Sequence, residues 1–120
     1  MNLVRRFFAS ATSPQAMSDA KNKAQSIIDE NAVAVFSKSY CPYCSASKKL
    51  LDSAGAKYKL IELDQVGDGS AIQAALKEIS GQSTVPNIFI NQKHIGGNSD
   101  LQAKSGQLKS LLAEAGAAEL

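Results

Sequence analysis

Apolar positions recur along this chain with two periods, and the change from one to the other marks out its elements. From Ser18 onward, Ala20, Ala24, Ile27 and Ile28 return at helical spacing; Ser18 is placed to cap the first turn, Asp19 suits it, and Asn31 ends the run. Val33 to Ser37 is a short apolar segment with β-branched members, the pattern of a strand covered on both faces. Pro42 suits a first helical turn, Ala46, Leu50 and Leu51 continue that helix's apolar face, and Gly55 supplies its stop. Tyr58 to Leu63 reads as a second strand. A Gly67-Asp68-Gly69 loop and a cap at Ser70 open a helix with Ile72, Leu76 and Ile79 on one side, closed by Gly81. Asn87 to Ile90, a turn at Asn91-Gln92, and Lys93 to Ile95 form a hairpin. After Gly96-Gly97, Leu101 to Ala115 carries a last helical pattern, broken near Gly106.

The order α-β-α-β-α-β-β-α predicts a small α/β fold, a four-stranded mixed sheet flanked by helices on both faces. The first two strands are joined through a helix, so they should run parallel. No internal repeat or interdomain linker interrupts residues 18–120, and 120 residues suit one domain. No stretch approaches the roughly 18 apolar residues of a membrane span.

Residues 1–17 read differently. They contain Arg5 and Arg6, several Ser, Thr and Ala residues and no acid, and on a helical wheel Leu3, Val4, Phe7 and Phe8 share one side. This is the composition of a mitochondrial transit peptide, with a disordered tail as the alternative. Met17 offers a second start that would omit the leader. Mitochondrial or cytoplasmic placement, or both, is therefore expected. The net charge of +2 comes wholly from this segment; removing Arg5 and Arg6 leaves eleven basic against eleven acidic side chains. A nucleic-acid partner has no compositional support.

The chemistry-bearing stretch is Ser37-Lys38-Ser39-Tyr40-Cys41-Pro42-Tyr43-Cys44, which holds the only two cysteines. A disulfide closing so short a loop removes little unfolded-state entropy, so stabilisation is a poor reason for it. A closed zinc site needs four ligands, and beyond the cysteines the chain offers a single histidine, His94, which reads as structural. Redox chemistry fits best. Cys41 falls where a strand gives way to a helix, so the unpaired N–H groups and positive dipole end of that helix face its sulfur and favour the thiolate that attacks disulfides. Lys38 adds positive charge nearby. Cys44, one turn later on the same face, lies within disulfide range. Cys41 is thus read as the nucleophile and Cys44 as the resolving thiol.

Together with the distant segments Thr84-Val85-Pro86 and Gly96-Gly97-Asn98-Ser99-Asp100, this motif resembles that of dithiol glutaredoxins of the CPYC type, in a flavour similar to fungal enzymes. The match spans roughly residues 20–113. Thioredoxin itself fits less well, for want of a tryptophan before the first cysteine. The resemblance implies a thioredoxin fold, glutathione as cofactor, and glutathionylated proteins and small disulfides as substrates of a monomer. It also implies how glutathione lies: Lys38 and Gln73 hold its glycine carboxylate, the Val85 backbone pairs with its cysteinyl unit beside a cis Pro86, and Ser99 and Asp100 form the γ-glutamyl site. Thr84, Gly97 and Asn98 belong to the same segments, and Tyr43 lines the groove. Independently of the resemblance, glycines followed by Asn-Ser-Asp at a helix start form an anion-binding arrangement. The rival function is carriage of an iron–sulfur cluster by a glutathione-bridged dimer, since thiolates serve clusters as well as exchange. Family members clearly of that type have a single cysteine followed by Gly-Phe-Ser, unlike Pro42-Tyr43-Cys44.

Overall fold

The computed structural model describes residues 14–118. The leader's Leu3, Val4, Arg5, Arg6, Phe7 and Phe8 lie outside that range. The elements run α1 (Pro14–Glu30), β1 (Val33–Ser37), α2 (Pro42–Ser53), β2 (Lys59–Glu62), α3 (Gly69–Ser80), β3 (Asn87–Ile90), β4 (Lys93–Gly96), α4 (Asn98–Ala103), a 3-10 turn (Ser105–Gln107) and α5 (Leu108–Ala115). The sheet order is β2-β1-β3-β4. β1 and β2 are parallel, as the helical crossover requires, and the other two pairings are antiparallel. The mixed four-stranded sheet with helices on both faces is the predicted thioredoxin fold.

β1 is the spine because all five of its residues are buried. Ala34 and Phe36 point to one face, where α1 contributes Ala20, Ala24 and Ile28, and α3 contributes Ile72, Ala75 and Leu76. Val33 and Val35 point to the other, against Leu51 of α2, Leu101 of α4 and Leu108 and Leu112 of α5. Phe36 meets Phe89 of β3 edge to face, with ring centroids 6.0 Å apart. Burying such a side chain contributes about 1.5–3 kcal/mol. Two half-cores, one per sheet face, thus fix the end of β1 and with it the position of Cys41.

Several boundaries differ from those the pattern predicts. α1 already includes Pro14, the first described residue, so Ser18 sits inside the helix rather than capping it; in Pro14 to Asp19 only Ala16 and Met17 are apolar, too little to mark a helix by period. Asn31 does end this helix, its side-chain amide donating to the Ile27 carbonyl at 2.8 Å. α3 begins at Gly69 after Asp68, not after a Ser70 cap, and Asp68 is held instead by Lys23 at 2.9 Å. Gly69 has no room for a side chain: a Cβ there would overlap the Leu63 carbonyl oxygen. The last helical pattern begins at Asn98 rather than Leu101 and is split by the 3-10 turn around Gly106. None of the described helices is long and apolar enough to cross a membrane.

Candidate active site

β1 ends at Ser37, and the chain turns through Lys38, Ser39 and Tyr40 to place Cys41 at the N-cap of α2. Its extended backbone (φ −88°, ψ 118°) stands outside the helix while its carbonyl accepts the Ser45 N–H at 3.1 Å. The Cys41 Sγ accepts the Cys44 N–H at 3.1 Å, so the sulfur does what a Ser or Asp oxygen does at other N-caps. Cys41 also donates its own N–H to the Lys38 carbonyl at 3.1 Å. The turn is braced from β2's end by Asp64, whose carboxylate takes both the N–H of Ser39, at 2.9 Å, and its hydroxyl. Those two bonds, and the nearby Lys38 charge, hold the Asp64 carboxyl below its ordinary range.

The two thiols are unequal. Cys41 is partly exposed and Cys44 is fully buried beneath it. Burial pushes the Cys44 thiol above its ordinary value and the hydrogen bond to Cys41 adds to this, while the Ser37 hydroxyl and the Lys38 backbone act in the opposite direction. Buried Cys44 is therefore held as the neutral thiol, whereas Cys41 is partly exposed and its sulfur accepts the first-turn N–H of Cys44. This is the asymmetry expected of a resolving thiol and a nucleophile.

Beside the dithiol runs a groove of about 290 Å³ lined by Tyr43, Thr84, Val85, Pro86, Gly97, Asn98 and Ser99. Three separate stretches predicted to meet therefore do so. Tyr43 is 69% exposed at its rim, and the Val85–Pro86 peptide bond is cis. The remaining predicted residues stand around this groove rather than along it. Asp100 accepts the Gly97 N–H at 2.9 Å, and its carboxylate fills the space next to Gly96 where a Cβ would lie. Gly96 has φ +121°, a conformation that suits glycine. Gln73 donates to the Ser83 carbonyl at 2.7 Å, so it braces the loop before Thr84. Lys38 is half-buried beside Asp64.

Sequence reasoning misses four residues that hold these parts together. Gln82 donates to the carbonyls of Thr84 (3.0 Å) and Pro86 (2.9 Å). Asn87, fully buried at the start of β3, donates to the Ser80 hydroxyl at 3.3 Å and the Gln82 carbonyl at 3.4 Å, and its carbonyl faces His94 Nε2 at 2.9 Å. Ser47, fully buried in α2, donates to the Asn98 side chain at 2.9 Å and so ties the cysteine helix to α4. Asp64 is the fourth. One signal was available: polar Asn87 opens an otherwise apolar strand, a break that calls for partners. His94, packed on Phe89 with ring centroids 5.1 Å apart, is structural as predicted.

Comparison with known proteins fits this site. Residues 33–95 match the family described as Glutaredoxin. A Ricinus communis glutaredoxin is 59% identical over 100 residues, covering 82% of this chain and 98% of its own. A Schizosaccharomyces pombe protein, Glutaredoxin-2, is 50% identical over 97 residues, covering 79% and 88%. Among solved structures, the buckwheat glutaredoxin–glutathione complex superposes with a TM-score of 0.85 at 49% identity, covering 89% of this chain and 99% of that one.

Proposed function

Because the chain belongs to the glutaredoxin family and is a glutathione-dependent thiol–disulfide oxidoreductase, we propose that Cys41 is its nucleophile and Cys44 its resolving thiol. The observation that carries this reading is the Cys44 N–H pointing at Cys41 Sγ while the Cys44 thiol itself lies buried and neutral. The Cys41 thiolate attacks the glutathionyl sulfur of a mixed disulfide; the S–S bond breaks, and the substrate leaves as a thiolate that takes up a proton. Cys41 now carries glutathione. A second glutathione thiolate attacks that glutathionyl sulfur, leaving as glutathione disulfide and restoring the Cys41 thiolate. With a protein disulfide, Cys41 first attacks one of its sulfurs, releasing one substrate thiolate and forming a mixed disulfide; Cys44 then loses its proton and attacks Cys41 Sγ, breaking that bond and closing the Cys41–Cys44 disulfide as the second substrate thiolate departs and is protonated. A potential of about −200 to −230 mV suits recycling by the glutathione pool.

Glutathione lies in the groove with its cysteinyl unit along Val85 and its γ-glutamyl carboxylate toward Asn98, Ser99 and Asp100, where the first-turn N–H groups of α4 lack intrahelical partners. Thr84, Pro86, Gly97 and Tyr43 shape the groove, while Lys38 and Gln73 stand toward the glycine carboxylate. The bond from Gln73 to Ser83 adds a second task to that residue. Within the family we place the chain among CPYC-type members similar to fungal enzymes; the S. pombe relative supports this, and the higher identity of the Ricinus protein weighs against an exclusively fungal affinity. We further read the protein as a monomer of mitochondria, cytoplasm or both, acting on glutathionylated proteins.

The test is glutathione-dependent reduction of a glutathionylated peptide by wild type, Cys41→Ser and Cys44→Ser. Loss in the first variant and retention in the second are expected, and comparable loss in both sinks the assignment. Anaerobic purification checks the iron–sulfur rival: colourless, monomeric protein disposes of it.

A further inference from the structure

The loop from Gly81 to Pro86 has no regular secondary structure, yet it forms one wall of the groove. Its shape is set by side chains, and one of them contacts both sides of a single residue. The Gln82 amide nitrogen donates to the carbonyl before Val85, that of Thr84, at 3.0 Å, and to the carbonyl after it, that of Pro86, at 2.9 Å. Both hydrogens of the amide are thereby used, and the two carbonyls are turned toward Gln82. Between them, the N–H and C=O of Val85 make no hydrogen bond to any described residue, although Val85 is half-buried and lines the groove. Unpaired backbone groups in such a place are seldom left without a partner.

We propose that Gln82 is a positioning residue for substrate: by holding the carbonyls on either side, it fixes the Val85 peptide groups in the orientation that pairs with an extended thiol-bearing peptide. Its role rests on the reading of the groove as the glutathione site. Gln82 is itself well fixed. Its N–H donates to the Ser80 hydroxyl at 3.2 Å, and its carbonyl accepts from buried Asn87 at 3.4 Å. It lies close to the facing wall: a Cβ built at Gly97 would meet the Pro86 carbonyl at 3.6 Å and the Gln82 amide nitrogen at 3.9 Å. No Gln82 atom is bonded to Cys41 or Cys44, so the residue acts on binding and leaves the thiols' intrinsic reactivity alone. Such preorganisation strengthens association by removing an ordering cost, without new contacts to the ligand.

The test compares two mixed disulfides of one cysteine peptide, one with glutathione and one with cysteamine, which lacks the peptide groups that would pair with Val85. Gln82→Met keeps the length and loses both donors. For the glutathionyl substrate its KM should rise about tenfold while kcat changes less than about twofold, the signature of lost uniform binding. Its rate of Cys41 alkylation by iodoacetamide should match wild type, and its KM for the cysteaminyl substrate should stay within about twofold. If Gln82→Met does not fold, Gln82→Asn, one methylene shorter and unable to span both carbonyls, should give a smaller rise in the same KM. A wild type that prefers the glutathionyl substrate, with variants that leave that preference intact, overturns the role of Gln82 alone. Equal losses on both substrates, or slowed alkylation, overturn it as well by showing a general structural effect. A wild type that treats both disulfides alike overturns the glutathione reading and this inference with it.

Discussion

The two walls of this site are held in opposite ways. The cysteine wall is local: Cys41, Cys44 and Ser45 bond to one another and to Lys38 within a span of eight residues, and among the described residues only Asp64 reaches into that span from a distant segment. The Thr84–Pro86 wall has no such self-contained turn. It is shaped by side chains from α3 (Gln73, Ser80), from the loop itself (Gln82) and from β3 (Asn87), and the last of these is backed by His94 of β4. Chemistry can be encoded in a short motif because a strand end and a helix start already supply the geometry. Recognition of a partner cannot, because its surface is assembled from segments far apart in sequence.

That contrast can be broken most sharply at Cys41. Cys41→Ser should drop reduction of glutathionylated peptide to background, since no other thiolate is positioned to attack, while the groove stays intact; retained glutathione binding in a calorimetric titration would show the walls to be separable. Cys44→Ser should preserve that reduction but abolish catalysis that passes through the Cys41–Cys44 disulfide. In wild type, the intramolecular step, followed by stopped flow, should still be accelerating at pH 9, because burial holds the Cys44 thiol above its ordinary value of 9.0. A plateau well below that pH would contradict the assignment.

Damage to the other wall should be thermodynamic first. Asn87→Ala removes a fully buried amide and leaves the Ser80 hydroxyl and Gln82 carbonyl short of a partner; a loss of about 1–3 kcal/mol in urea unfolding is expected, together with a raised KM and normal Cys41 alkylation. The smallest effect is one of pH. Burial holds the His94 imidazole below its ordinary 6.5, with Asp100 opposing. The folded state thus favours neutral His94, and its contribution is present above pH 6.5 and lost as pH falls through the folded value. Urea midpoints taken between pH 7 and 5 should fall more steeply for wild type than for His94→Gln. Equal slopes would remove His94 from the support of this wall.

Much of this was legible from sequence, and what was not has a common cause. The strand run Val33 to Ser37, the helix-starting Pro42 and the C-x-x-C spacing are local patterns, so element order, sheet direction and the reactive pair followed from them. Gln82 is a polar residue near a proline, indistinguishable by composition from any solvated loop residue until its two carbonyl partners are seen. Ser47 is similar: a serine on a helix reads as surface, and only the approach of Asn98, 51 residues away, makes it a buried tie. That α1 covers Pro14 to Asp19 escaped because that stretch has only Ala16 and Met17 as apolar residues, too few to betray a helix.

The hydrogen bond from Cys44 N–H to Cys41 Sγ also gives the protein a built-in spectroscopic label. A sulfur that changes from anion to disulfide or mixed disulfide becomes a weaker acceptor, and the amide proton it holds must shift upfield and exchange faster with solvent. In a ¹⁵N-resolved NMR spectrum, the Cys44 cross-peak would therefore report the covalent state of its neighbour without any dye or tag.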